Sequence, residues 1–175
     1  KKSTWSRAPW SRRPVNWCWF CETALAEAEV EYENLRSPSI FVKFEVQLDS
    51  AKEVLKETPV KKLFLVIWTT TPWTLMGNVA VSVHPQFSYN LWKVGSEEGW
   101  ITASQLPAAS LKALQLTSKA EALRTFPGKM LEGIRYQHPL GLKSGQVVLA
   151  DYVTTEEGTG LVHTAPGFGA EDYAT

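Results

Sequence analysis

The sequence predicts a mostly β domain with helices only at its periphery. Three observations carry that expectation. Short β-branched and aromatic segments recur at close spacing, as at Leu63-Phe64-Leu65-Val66-Ile67 and Val147-Val148-Leu149-Ala150. Glycine and proline, 11 and 10 of the 175 residues, punctuate the gaps between them. Stretches with helical spacing are few. Closing such a sheet into a barrel removes exposed edges, so a barrel is the expected arrangement.

Taken in order, Lys1 to Arg13 is basic, rich in Ser, Trp and Pro, and without apolar periodicity; it reads as a connector or solvated tail ahead of a single domain over 14–175. From Glu27 to Glu33 every odd position is Glu, with Ala28, Val30 and Tyr32 between. Helix propensity and a period of two conflict here, and the period predicts a half-buried strand. After the turn at Ser37-Pro38-Ser39, Ile40, Val42, Phe44 and Val46 alternate in a second strand, and the two should form a hairpin. Asp49 to Glu57 suits a short surface helix. Asn78 to Val83 reads as a strand closed by His84-Pro85, and Tyr89–Val94 and Trp100–Ala103 as a hairpin across Gly95–Gly99. Ala108 to Leu116 is near helical spacing. A strand around Ala122–Phe126, a turn through Gly133 and a buried strand at 147–150 follow.

Composition bounds the function. Eighteen basic and eighteen acidic residues balance, so the domain carries no strong field for nucleic acid, and any RNA contact must draw its affinity elsewhere. No apolar run approaches the ~20 residues of a membrane span. The start at Lys1 without Met and the end just after a motif suggest a piece excised from a longer chain. Cys18 and Cys21 form one C-x-x-C. A structural zinc site needs four ligands, and His84, His138 and His163 are scattered; a redox pair wants a helix after its first cysteine. Reduced thiols that hold no metal are the expectation, which favours the cytoplasm.

The chain is organised around Trp68-Thr69-Thr70-Thr71-Pro72-Trp73-Thr74-Leu75. It follows the most apolar run, and Pro72 ends the strand because it has no N–H for the ladder. Hydroxyls and backbone amides are thereby presented where a strand breaks, a place able to grip a polar ligand; the plainer reading is that threonine simply favours strands. A second motif, Gly158 to Tyr173, begins as a glycine-punctuated strand and ends in a glycine loop opening a helix. His163 and Asp172 flank that loop and can face one cavity, although a strand histidine and a helix-start Asp are each commonly structural.

Together these segments resemble the editing domain of class I isoleucyl-tRNA synthetases. The matching stretches are Trp17 to Tyr32 (Trp-Cys-x-x-Cys-x-Thr-Ala-Leu-Ala-Glu-Ala-Glu-Val-Glu-Tyr), Trp68 to Asn78 and Gly158 to Tyr173. The valyl and leucyl relatives carry Arg where this chain has Thr71. Met76 departs from a common proline, and Phe168 stands where many members carry a second histidine, so no imidazole acts there.

The resemblance implies a closed six-stranded β-barrel of the valyl/isoleucyl/leucyl-tRNA synthetase editing type, with helices around it. It implies hydrolysis of mischarged valyl-tRNA(Ile), and of valyl-adenylate, by positioned water without a covalent intermediate; a non-catalytic module binding the tRNA 3′ end is the alternative. Thr70, Thr71 and Asp172 are the implied catalytic residues. Thr69, Thr70, Thr71, Trp73, Thr74, Asn78, His163 and Asp172 are the implied substrate-binding set. Within it, Asp172 takes the α-ammonium group, His163 shuts out a larger side chain, Asn78 holds the threonine loop and Trp73 packs beneath it. No metal or cofactor is implied in this domain; ATP and magnesium belong to the parent enzyme, and the partners are tRNA(Ile) carrying valine and the rest of the synthetase chain.

Overall fold

The computed structural model describes residues 16–18, 20–31, 38–56, 58, 60–116 and 121–175. The connector over 1–13 therefore lies outside the described residues. A small hairpin pairs β1 (Asn16–Cys18) with β2 (Thr23–Leu25). The remaining strands are β3 (Ile40–Val46), β4 (Lys62–Thr69), β5 (Ala80–Val83), β6 (Ser88–Val94), β7 (Glu98–Ala103), β8 (Glu121–Pro127), β9 (Arg135–Gln137), β10 (Ser144–Leu149) and β11 (Leu161–Thr164). They form one sheet in the order β11-β5-β10-β9-β3-β4-β7-β6-β8. Helices are short and lie outside it: α1 (Lys52–Leu55), α2 (Ala108–Ala113) and α3 (Ala170–Ala174).

The apolar run expected to be a buried strand is β4, held antiparallel to β3 and parallel to β7. Both of its faces are covered, which is why it reads as a continuous hydrophobic run rather than an alternation. Leu63, Leu65 and Ile67 enter the main core with Phe44, Leu91, Ile101, Tyr136 and Leu161. Val66 turns the other way, into a smaller cluster with Leu114 and Leu116 beside α2.

Strands distant in the ladder order share that main core, so the sheet curls strongly. The stretch just ahead of edge strand β11 is tied to the inner strands β7 and β6 by two bonds: Ala103 N–H donates to the Thr159 carbonyl and Tyr89 Oη–H to the Gly160 carbonyl, each at 2.8 Å. Burial pushes the Tyr89 phenol up to about 12, so it remains a donor. The expected closed six-stranded barrel is thus corrected. The sheet has nine strands, and among the described residues no ladder joins its two edges. Gly158 and Gly160, both at φ +71°, hold the chain before β11 in a left-handed bend that cannot extend into a ladder.

The strand and hairpin expected at the start of the domain fail, and the helix expected over 49–57 is met in part. Glu27–Glu29 is a 3-10 turn, in which Glu29 N–H donates to the Ala26 carbonyl at 2.9 Å and the Glu29 carboxylate accepts the Ala26 N–H at 2.7 Å. Ala28 is exposed and Val30 only half-buried, so the alternation had little to bury. The continuation over 32–37 lies outside the described residues. Consequently β3 pairs with β4 and β9 instead of forming the expected hairpin. The helix expected over 49–57 is a 3-10 turn (Leu48–Ser50) followed by α1, whose Val54 is fully buried. Strand β9 and the hairpin around the cysteines were not legible beforehand.

Candidate functional site

β4 ends at Thr69, and Pro72 starts a 3-10 turn (Pro72–Gly77) where its missing N–H costs nothing. The bend is tied by its own hydroxyls. Thr69 Oγ1 accepts the Thr71 N–H at 3.1 Å, and Thr74 donates both its N–H (3.0 Å) and its Oγ1–H (2.8 Å) to the Thr71 carbonyl. Thr74 Oγ1 also lies 2.9 Å from His163 Nε2, which bonds the bend to β11.

Because the Thr74 hydroxyl proton is committed to Thr71, the imidazole must supply the proton of the His163–Thr74 bond. His163 is therefore the Nε2–H tautomer, with a lone pair on Nδ1. That Nδ1 is buried without a hydrogen-bond partner. Burial lowers the His163 pKa below its ordinary value, the Asp172 carboxyl opposes this, and His138 adds to it. The ring is neutral at physiological pH.

Asp172 lies in α3, just after the glycine loop. Its Oδ2 accepts the Ala165 N–H at 2.7 Å, folding the 165–169 loop back over the end of β11.

These pieces surround a cavity of about 430 Å³. Thr69, Thr70, Thr71, Thr74, His163 and Asp172 line it. Two expected residues do not. Trp73 is 61% exposed rather than packed beneath the loop, because the 3-10 turn buries Thr74 and Leu75 and points residues 73 and 76 outward. Asn78 is buried in the core: it donates to the Ala80 carbonyl at 2.8 Å and accepts from Tyr136 Oη at 2.7 Å, so it anchors β5 without touching the cavity.

Trp68, Thr154, Glu157, Thr159 and Phe168 line the cavity and were not anticipated. The signal for Thr159 was its place between two glycines. Built Cβ atoms there would lie 3.1 Å from the Trp68 ring at Gly158 and 2.5 Å from Ala103 Cβ at Gly160. Cys18 and Cys21 lie apart from this site. Both thiols are free, and Cys21 N–H donates to Cys18 Sγ at 3.3 Å, a bond that lowers the Cys18 pKa. No helix among the described residues is long and apolar enough to cross a membrane.

The curled, mostly β fold is shared with solved editing domains of leucyl-tRNA synthetases. The chain matches the crystal structure of GlLeuRS-CP1 at TM-score 0.65, with 20% identity, over 78% of this chain and 58% of that one. It matches the editing domain of Plasmodium knowlesi (P. knowlesi) cytosolic leucyl-tRNA synthetase at TM-score 0.62, with 17% identity, over 78% and 61%. At such identities the likeness defines the fold.

The homologues by sequence are isoleucine–tRNA ligases. Identity is 48% over 165 residues with that of Desulfotalea psychrophila and 49% over 164 with that of Carboxydothermus hydrogenoformans, covering 94% and 93% of this chain. The chain spans only 17% of the length of either relative, and within them it corresponds to a segment with the editing-domain fold. No family model matches it.

Proposed function

We propose that this domain proofreads within an isoleucine–tRNA ligase, hydrolysing the ester of valine mischarged on tRNA(Ile), and valyl-adenylate. An isoleucine pocket gains only ~1–3 kcal/mol from one methylene, the familiar isoleucine–valine problem of these ligases, so binding alone discriminates poorly. A second, smaller hydrolytic site raises the discrimination.

One observation carries the reading: the threonine bend, His163 and Asp172 share a single cavity, although Thr74 and His163 lie 89 residues apart along the chain. In this reading Asp172 takes the α-ammonium group through the carboxylate oxygen not engaged by Ala165. His163 walls the side-chain pocket against the extra methylene of isoleucine. Thr70 and Thr71, with the Thr69 backbone, hold the terminal adenosine and aminoacyl carbonyl and place the attacking water. An aminoacyl ester is already activated, so alignment of water and ester supplies much of the rate, and no acyl-enzyme forms.

The test is incubation of the intact protein with valyl-tRNA(Ile) and isoleucyl-tRNA(Ile). Rapid release of valine with sparing of isoleucine is expected. Tight binding of the tRNA 3′ end without release would establish a non-catalytic binding module instead, and a trapped acyl-enzyme would overturn the positioned-water route.

A further inference from the structure

Two residues lining the cavity carry polar atoms to which the roles above give no partner. Thr159 is 1% exposed, yet its Oγ1 has no hydrogen-bond partner, and neither has His163 Nδ1. They are the two buried side-chain polar atoms in this condition among the described residues, and both belong to residues lining the same cavity. A buried polar atom without a partner costs stability, so two such atoms on residues that line one cavity point to a ligand that satisfies them.

The backbone explains how Thr159 is held. Gly158 and Gly160 on either side are both left-handed, and the Thr159 carbonyl is pinned by Ala103 N–H. Close packing of Gly158 on Trp68 and of Gly160 on Ala103 fixes the segment from both sides.

The tautomer specifies the occupant. His163 Nδ1 is an acceptor only, because Nε2 carries the proton given to Thr74. The Thr159 hydroxyl both donates and accepts. A group that donates to one and bonds either way with the other, while keeping a lone pair free, is a water molecule. We infer that Thr159 Oγ1 and His163 Nδ1 together seat the hydrolytic water that Thr70 and Thr71 direct onto the carbonyl, with Thr159 as its positioning residue.

This rests on the proofreading reading for the identity of the ester. In the step, the water oxygen bonds to the aminoacyl carbonyl carbon and the bond from that carbon to the ribose oxygen breaks. One water proton ends on the released ribose hydroxyl, and the other remains with the free acid until it ionises.

The experiment has two arms on the intact protein. First, a crystal structure without substrate should contain an ordered water within hydrogen-bond distance of both Thr159 Oγ1 and His163 Nδ1, and Thr159→Val should lose it. A dry site in the parent protein overturns the inference whatever the substrate proves to be.

Second, Thr159→Val should lower kcat for deacylation about tenfold, the value of one hydrogen bond, while leaving affinity for a non-hydrolysable valyl-adenosine amide unchanged. Thr159→Ser should restore the rate. Thermal stability of Thr159→Val should change little, since a methyl of the same shape replaces the hydroxyl and the water leaves together with its bond. An unchanged kcat, or a loss confined to analogue affinity, sinks the positioning role. A parent protein that holds the water yet releases no valine refutes the proofreading reading and leaves the water site standing.

Discussion

His163 Nε2 lies 2.9 Å from Thr74 Oγ1, and this bond ties two segments 89 residues apart into one wall of the cavity. It also fixes the tautomer of the ring, because Thr74 spends its own proton on the Thr71 carbonyl. Thr74→Val should leave a buried Nε2–H without an acceptor and destabilise the fold by about 1–3 kcal/mol. Thr74→Ser should behave like the parent protein. Urea denaturation of the three proteins checks this, and equal midpoints would show the bond to be idle.

Asp172 joins structure and charge, since its Oδ2 holds the Ala165 N–H at 2.7 Å while its charge acts on His163. Asp172→Asn keeps an oxygen for Ala165 and removes the charge. Under the proposed role, deacylation of valyl-tRNA should fall by about 100-fold or more with the melting temperature nearly unchanged. Asp172→Ala should lose both activity and stability. Near-parental deacylation by the Asn variant would remove the ammonium-binding assignment.

Acid should weaken the fold through His163. Its pKa is depressed mainly by burial, so the native state favours the neutral ring, while the unfolded chain takes up a proton near the ordinary 6.5. Unfolded molecules then bind more protons, and stability falls as pH drops below about 6.5 until the native ring titrates too. Denaturation midpoints between about pH 5 and 8 should show this slope. His163→Gln, which retains an N–H for Thr74, should flatten it; an identical slope in that variant would place the effect on another group.

Legibility in the sequence followed the strength of the local signal. β4 was evident because a strand buried on both faces cannot avoid a continuous apolar run, and the bend was evident because Pro72 cannot continue a ladder. The 88–94 and 98–103 hairpin announced itself through Gly95 and Gly99. β9 escaped because three residues with only Tyr136 buried carry no period. The alternation at 27–31 misled because Ala28 is too small to gain much by burial and stays exposed, and Val30 is only half-buried. Open or closed was also beyond the sequence, since it depends on whether residues 158–160 pair as a ladder or as single bonds. In the site, the motif residues were readable by type, whereas Trp73 was misplaced because a 3-10 turn rotates each residue differently from the strand before it, and Asn78, just past that turn, is held in the core by Ala80 and Tyr136.

The glycine segment offers a clean separation of backbone strain from crowding. Gly160 has φ +71°, and a Cβ on it would lie 2.5 Å from Ala103 Cβ. Gly95 has φ +64° with nothing within 4 Å of the added atom. Gly95→Ala should therefore cost only the left-handed backbone, roughly 1–2 kcal/mol. Gly160→Ala bears the same cost plus about 1–3 kcal/mol of overpacking. It should also move Thr159 and slow deacylation, which Gly95→Ala leaves alone. Ala103→Gly placed on Gly160→Ala removes the offending methyl, so the double variant should recover the crowding part and keep the backbone part. Urea midpoints for the set test the scheme: if Gly160→Ala proves no worse than Gly95→Ala, the packing that holds the 158–160 bend against β7 is looser than the 2.5 Å approach requires.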